Sequence, residues 1–298
     1  MLSRRQATLI GSLSIVLWGS LALLTRLTAG VFPPFQLLAM TFALAFGLML
    51  AKWLSAGQSP LSFLRQPPLA WALGVGGLFG YHFCYFLAMR LAPAVQVSLL
   101  AYLWPLLILL FSAMLPGHRL SRWHVLGGLL ALGGCWLLLG GGQGGFASQY
   151  LPGYLMALLC ALIWSLYSVA SRLVAQVPTD AVGWFCAGTA LLGGLCHLYG
   201  ETTVWSAPWS AWLGVLALGL GPVGIAFFTW DIGMKQGNLP LLGVLSYAAP
   251  LISTLLLLVC GLAQPSGALA LACVAIIGGA ALAARAGGDR FRAAHKTS

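Results

Sequence analysis

The sequence predicts an all-α integral membrane protein. Ten transmembrane helices form two inverted five-helix repeats, with the N- and C-termini cytoplasmic. Three observations predict this. First, the 298 residues are 60% hydrophobic and only 6% charged, with a mean hydropathy of +0.96. No water-soluble fold of this size has interior enough to hide so much apolar surface, so the solvent is lipid. Second, charges, prolines and glycine clusters divide the chain into ten apolar runs, each near the ~20 residues that cross a bilayer as a helix. Third, the second half repeats the first at an offset of 145 to 146 residues. Trp18, Arg26 and Leu27 return as Trp164, Arg172 and Leu173; Met89, Arg90, Tyr102 and Pro105 return as Met234, Lys235, Tyr247 and Pro250.

The runs fall at 6–28, 34–54, 68–91, 94–115, 122–140, 152–175, 180–199, 208–235, 238–262 and 266–285. The first starts at Arg4-Arg5 like a secretory leader. It is longer than a leader's apolar stretch and more spans follow, so it reads as an uncleaved first helix. The connections are short. The longest are 55–67 and the glycine-rich 140–151, where Gly140-Gly-Gly-Gln-Gly-Gly lacks the lysine of a phosphate loop and reads as a flexible linker. The chain divides into a first repeat at 1–141, a second at 152–286 and a basic cytoplasmic tail at 287–298, read as mobile.

The net charge of +10 does not point to nucleic acid, because the cations are scattered at the ends of apolar runs and form no patch. With the N-terminus inside, Arg4, Arg5, Lys52, Arg65, Arg119, Arg122, Arg172, Lys235, Arg285, Arg290, Arg292 and Lys296 lie inside; only Arg26 and Arg90 lie outside. Such asymmetry sets the cytoplasmic side. Each repeat holds five spans, an odd number, so the second copy enters the membrane upside down. Inverted repeats place a site between the halves near the midplane and let the halves exchange shapes, which is alternating access.

Several spans carry helix-weakening residues at matching places. Gly74, Gly76, Gly77 and Gly80 lie in the third run, and Gly219, Gly221, Pro222 and Gly224 in the eighth; Pro105 and Pro250 sit inside the fourth and ninth. Proline removes a backbone donor and crowds the preceding turn. Gly77, Pro105, Pro222 and Pro250 are therefore candidate hinges beside a cavity. Gly133-Gly134 and Gly278-Gly279 read as close helix packing.

Aromatic residues form stripes. Tyr81, His82 and Tyr85 share one face of the third span, Trp164 and Tyr167 one face of the sixth, and Phe227 and Trp230 are three apart in the eighth. Tyr102 and Tyr247 are repeat equivalents. A tyrosine deep in hydrocarbon needs a polar partner, which a wet cavity supplies. Aromatic walls with a few polar groups suit a flat organic molecule. The candidate binding residues are Tyr81, His82, Tyr85, Tyr102, Trp104, Trp164, Tyr167, Trp230 and Tyr247, with spans 3, 4, 6, 8 and 9 lining the cavity. Trp53, Trp71, Trp123, Trp205, Trp209 and Trp212 flank span ends and read as interfacial belts. His82 either bonds a ligand or relays a proton, or is a tied-down neutral imidazole. Asp231 and Lys235, four apart, read as a pair; Arg26 and Arg172 read as snorkelling.

No acidic residue lies mid-span, which points to uniport rather than proton exchange. The seven cysteines form no CxxC and read as small apolar side chains. With neither HExxH nor a Walker loop, no enzymatic activity, metal or cofactor is expected. The expected partners are a small-molecule substrate and the bilayer, with the protein a monomer. A drug or sugar-phosphate carrier remains a rival, and a membrane-embedded enzyme or assembly subunit a remoter one.

Ten spans in two inverted copies resemble the drug/metabolite transporter superfamily in its EamA-type branch, over residues 6–285. Trp18-Gly19-Ser20 and Trp164-Ser165 are similar to the branch's first-span motif. Ala101-Tyr102-Leu103-Trp104-Pro105, followed by Cys135-Trp136-Leu137-Leu138 and Gly140, resembles the bacterial aromatic amino acid exporters. Gly117-His118-Arg119 departs from the acidic residue common after the fourth span. The resemblance implies export of aromatic and other apolar amino acids and related metabolites across the inner membrane, by alternating access around a central cavity.

Overall fold

A computed structural model describes the backbone of residues 2–28, 30–116, 120–139 and 146–294, and side chains as far as Arg285. The Gly117–Arg119 segment, most of the glycine linker (140–145) and the end of the tail (295–298) lie outside the described residues. Nine helices among the described residues are long and apolar enough to cross a bilayer: Pro34–Ser55 (span 2), Pro68–Leu91 (span 3), Ala94–Ser112 (span 4), Arg122–Leu139 (span 5), Ser148–Val174 (span 6), Thr179–Gly200 (span 7), Trp209–Gln236 (span 8), Leu239–Val259 (span 9) and Gly267–Arg285 (span 10). Span 1 is a broken helix, Arg4–Gly19 and Leu21–Leu27, bent by 42°. The ten spans match the ten apolar runs. The last helix continues to Ala294, so most of the basic tail has helical backbone.

Local chemistry sets the boundaries. Ser3 and Gln6 close a capping box at the start of span 1. Spans 2 and 3 each open on a Pro-Pro pair: Pro33 and Pro67 are extended N-caps, and Pro34 and Pro68 start the helices. The first proline of such a pair holds an extended backbone before the second. The second loses no bond, because a helix's first N–H has no partner anyway. Gly57 and Gly261 follow spans 2 and 9 with φ of 65° and 70°, the left-handed region that glycine enters without strain.

Two tip contacts establish the inversion. Thr8, near the start of span 1, accepts from the Asn238 backbone at 2.9 Å. Arg172, at the end of span 6, donates to the Gly237 carbonyl at 2.6 Å. The beginning of span 1 and the end of its repeat equivalent therefore share one tip of the bundle. At the opposite tip, Glu201 beyond the end of span 7 accepts from the backbone of Phe35 and Gln36 at the start of span 2, at 3.1 Å. Equivalent spans run antiparallel.

Eight spans close into a ring, in the order 2, 8, 1, 9, 4, 6, 3, 7 and back to 2. Every neighbour in that ring belongs to the other repeat. Spans 5 and 10 pack against each other on the outside, beside spans 4 and 9. Their crossing is built on glycine. A Cβ on Gly127 would meet the Gly279 carbonyl, and one on Gly279 would meet the Gly127 carbonyl. Small residues let helix backbones approach where lipid offers no hydrophobic drive for association.

Gly279→Val should therefore lower the thermal unfolding midpoint in detergent, because overpacking a close crossing costs about 1–3 kcal/mol. Gly133→Val is the control: a Cβ there meets nothing within 4 Å, and its midpoint should stay within error of the parent's.

Candidate functional site

The middle of the ring is filled by aromatic side chains from six spans and both repeats. Trp18 of span 1 is the hub. Its ring lies 6.1 Å from Trp104, 5.6 Å from Trp164, 6.1 Å from Phe227 and 5.0 Å from Trp230, centroid to centroid. Trp104 and Trp164 meet edge to face at 6.3 Å, and Trp104 and Trp230 at 5.8 Å. Such edge contacts are the favoured geometry for quadrupolar rings. From Trp164 the network extends to Tyr167 at 5.3 Å and Tyr81 at 5.4 Å. Tyr81 stacks on Tyr85 and meets His82 edge on. His82 in turn meets Phe42 of span 2 at 5.1 Å.

Hydrogen bonds from the backbone and from serines fix these rings. Span 8 widens into a π-helical turn at Gly219–Ile225, with Pro222 inside it. Pro222 has no N–H, and a wider turn loosens the carbonyl ladder. The Pro222 carbonyl accepts from Trp18 Nε1 at 3.0 Å. Trp230 Nε1 donates to Ser168 Oγ at 3.0 Å. Ser165 Oγ lies 3.0 Å from the Trp104 carbonyl and 2.6 Å from that of Ala161, tying span 4 to span 6. His82 Nδ1 sits 2.7 Å from the Leu78 carbonyl. A carbonyl only accepts, so Nδ1 carries the proton, and in the neutral ring Nε2 is an acceptor.

Three ring nitrogens of the cluster stay available, beside the Tyr167 hydroxyl, which likewise bonds no other group among the described residues. Trp104 Nε1, Trp164 Nε1 and His82 Nε2 bond no other group among the described residues, and none of the three is sealed inside the protein. Trp18, Tyr81, His82 and Tyr85 are themselves only partly buried, whereas Trp104, Trp164, Tyr167 and Trp230 are buried. The cluster thus combines a packed part with a more accessible part, and its ring nitrogens offer two donors and one acceptor.

Of the nine residues singled out in the sequence, Tyr81, His82, Tyr85, Trp104, Trp164, Tyr167 and Trp230 come together here. Tyr247 packs instead in a second core with Leu109, Cys135 and Val244, and Tyr102, at the edge of that core, lies within electrostatic range of Tyr81 and Tyr85 and so adjoins the cluster. Their positions reflect the paired helix breaks. Spans 4 and 9 each interrupt just before their proline, with Ala94–Ala101 giving way to Trp104–Ser112 and Leu239–Leu245 to Ala248–Val259. Restarting a helix leaves its first N–H groups without partners. Tyr247 Oη accepts one of them, from Leu106 at 3.1 Å. Span 9 therefore supplies a brace at this depth rather than a ring of the cluster. Span 3 runs unbroken through Gly77, where a Cβ would lie 2.5 Å from the Tyr167 ring; close packing accounts for that glycine.

Two other expectations need correction. Trp53 is fully buried, not interfacial: it stacks on Phe63 at 5.2 Å and donates to Asp180 at 3.1 Å. The half-buried Asp180 carboxylate offered the indole a partner. Arg172 does not snorkel; it bonds the Met234 and Gly237 carbonyls, which the end of span 8 leaves open. Sequence reasoning had passed over Trp18, Phe42 and Phe227 as site residues. Trp18 had a signal, since it is the repeat partner of Trp164. Phe42 had none, because span 2 is apolar on every side.

The chain matches the model of the EamA-like transporter family twice, over residues 6–140 and 151–285. It is similar to the aromatic amino acid exporter YddG of Ancylobacter novellus, with 58% identity over 284 residues covering 95% of this chain and 98% of that protein. It is also similar to the YddG proteins of Salmonella typhimurium, 31% identical over 86% of this chain and 88% of that one, and of Escherichia coli K12, 28% identical over the same shares. A solved crystal structure 58% identical to the chain superposes with a TM-score of 0.90, covering 94% of this chain and 97% of that one.

Tyr247→Phe should destabilise the protein by about 1–3 kcal/mol, because it strands the Leu106 N–H. The drop should appear in the thermal midpoint in detergent, while near-ultraviolet circular dichroism from the tryptophan cluster stays unchanged.

Proposed function

The chain belongs to the EamA-like transporter family, and from that premise we propose that it exports aromatic and other apolar amino acids across the bacterial inner membrane by alternating access. The observation that carries this reading is the ring of indoles and phenols at the junction of the inverted repeats, in a chain 58% identical along nearly its whole length to an aromatic amino acid exporter. Flat apolar side chains stack well on Trp104, Trp164, Trp230, Tyr81 and Tyr167. The polar end of the amino acid finds complementary groups at the same place. His82 Nε2 accepts from the α-ammonium, and the free indole N–H groups of Trp104 and Trp164 donate to the α-carboxylate. No enzymatic chemistry is involved, and the protein acts as a monomer.

The tip bearing Arg4, Lys52 and Lys235 faces the cytoplasm, by the charge asymmetry of the loops. Exchange of shape between the repeats is eased at the broken spans 4 and 9 beside Pro105 and Pro250, and at the π-helical turn around Pro222. Transport is uniport, driven by the amino acid gradient. The supporting observation is that Asp180, Glu201 and Asp231 are each already paired, with Lys52, His197 and Lys235. This leaves none of the three free to carry protons alone.

Purified protein in liposomes should carry radiolabelled phenylalanine, and Trp164→Ala should cut that flux by about tenfold or more, the scale of losing one buried aromatic contact surface. Unchanged flux in a folded Trp164→Ala protein would overturn the assignment of the site. An imposed pH gradient should produce no uphill accumulation; accumulation would overturn uniport.

A further inference from the structure

Immediately beyond Trp230, span 8 carries two charges that the aromatic site does not use. Asp231 and Lys235 lie one turn apart, with Lys235 Nζ 2.9 Å from Asp231 Oδ2. Their side chains are only 4% and 3% exposed. Thr179 donates to the same Asp231 oxygen at 2.6 Å, and Lys235 donates to the Val177 carbonyl at 2.9 Å. The pair thereby fastens the end of span 8 to the connection between spans 6 and 7. It lies between the rings and the rim. Trp230 is its chain neighbour, and Tyr167 is within electrostatic range of Asp231. On the outer side, Asp180, next to Thr179, pairs with Lys52, which is 53% exposed.

Buried charges inside a membrane protein are costly to keep and mark function by default. Ordinary helix packing does not require this pair. At the 145-residue offset of the repeat, Asp231 corresponds to Phe86 and Lys235 to Arg90. The opposite tip therefore has an aromatic residue in place of the carboxylate, and Phe86 meets Phe35 there at 5.5 Å. Asp231 and Lys235 share one helix, so opening this tip pulls the pair as a unit away from Thr179 and the Val177 carbonyl and leaves both desolvated charges short of a partner; removing either member alone strands the other.

We infer that Asp231 and Lys235 form a second substrate subsite at this tip, one that takes zwitterionic amino acids by exchanging partners with them. The inference rests on the amino acid reading above. The α-ammonium of the substrate is the same kind of cation as the lysine side chain, and its α-carboxylate the same kind of anion as the aspartate. When the substrate inserts, Asp231 turns from Lys235 to the α-ammonium, and Lys235 turns from Asp231 to the α-carboxylate. Both charges keep a partner throughout, and no bond beyond hydrogen bonds is made or broken. The substrate's ring points along span 8 towards Trp230 and Tyr167. Entry of the right molecule thus gives both charges a partner as they leave Thr179 and the Val177 carbonyl, whereas a molecule with one charge strands one member of the pair.

The test is inhibition of phenylalanine counterflow in liposomes by phenylethylamine, which lacks the carboxylate, and by 3-phenylpropionate, which lacks the ammonium. The wild-type protein should prefer phenylalanine to both. Asp231→Asn should lose about tenfold or more of its preference over 3-phenylpropionate, and Lys235→Gln a similar share of its preference over phenylethylamine, the scale of one charge-assisted hydrogen bond. If either single variant fails to fold, Asp231→Asn/Lys235→Gln leaves no stranded charge and should lose preference over both analogues. Retained wild-type preferences, whatever happens to the rate, would overturn the subsite and leave a purely structural latch. Absence of phenylalanine counterflow in the wild-type protein would instead overturn the amino acid reading itself.

Discussion

Everything in this structure depends on the alternation of the two repeats around the ring of eight spans. A helix in lipid gains little by packing on another helix, since lipid tails are as apolar as its own side chains. Association therefore rests on close approach and on polar contacts, and here each ring contact joins one copy to the other. Neither copy encloses a space alone. The central cluster draws Trp18, Phe42, Tyr81, His82 and Trp104 from one copy and Trp164, Tyr167, Phe227 and Trp230 from the other. Any relative movement of the copies moves the two walls of the cluster against each other, so a ligand held at the proposed site would act on the same contacts as a change of conformation.

The polar groups follow from the same constraint. Without water in the hydrocarbon, each freed backbone group must find a partner inside the protein. Trp18 answers the Pro222 carbonyl, Tyr247 answers the Leu106 N–H, and Arg172 answers the carbonyls at the end of span 8. Each of these contacts sits where a helix is broken, widened or ended. The irregularities are thus braced from the opposite repeat in the first two cases, and the third joins spans 6 and 8 within the second copy.

Much of this was legible in the sequence. Span number and limits could be read because a bilayer imposes one length on every helix, and the inverted repeat because duplicated residues such as Tyr102 and Tyr247 keep a constant spacing. Seven of the nine residues proposed for the site meet in the cluster, since tyrosine, histidine and tryptophan stand out in apolar helices. Direction was much less legible. Tyr247 has the same spacing signal as Tyr102, yet its hydroxyl is spent on a backbone group that only the tertiary fold brings near. Phe42 and Trp53 lie in a span with no polar face to set its rotation. Residue type alone could not show that one packs on His82 and the other on Asp180.

The π-helical stretch at Gly219–Ile225 belongs to one copy only; the corresponding helix of the other, span 3, is regular from Pro68 to Leu91. A duplicated machine with identical halves would weigh its two shapes, related by a two-fold rotation, equally. Here one half has a pliable joint where the other has a stiff rod. In the proposed alternating-access cycle the two end states are consequently not equivalent by symmetry, and the backbone itself, rather than a gradient alone, contributes to which of them the empty carrier favours.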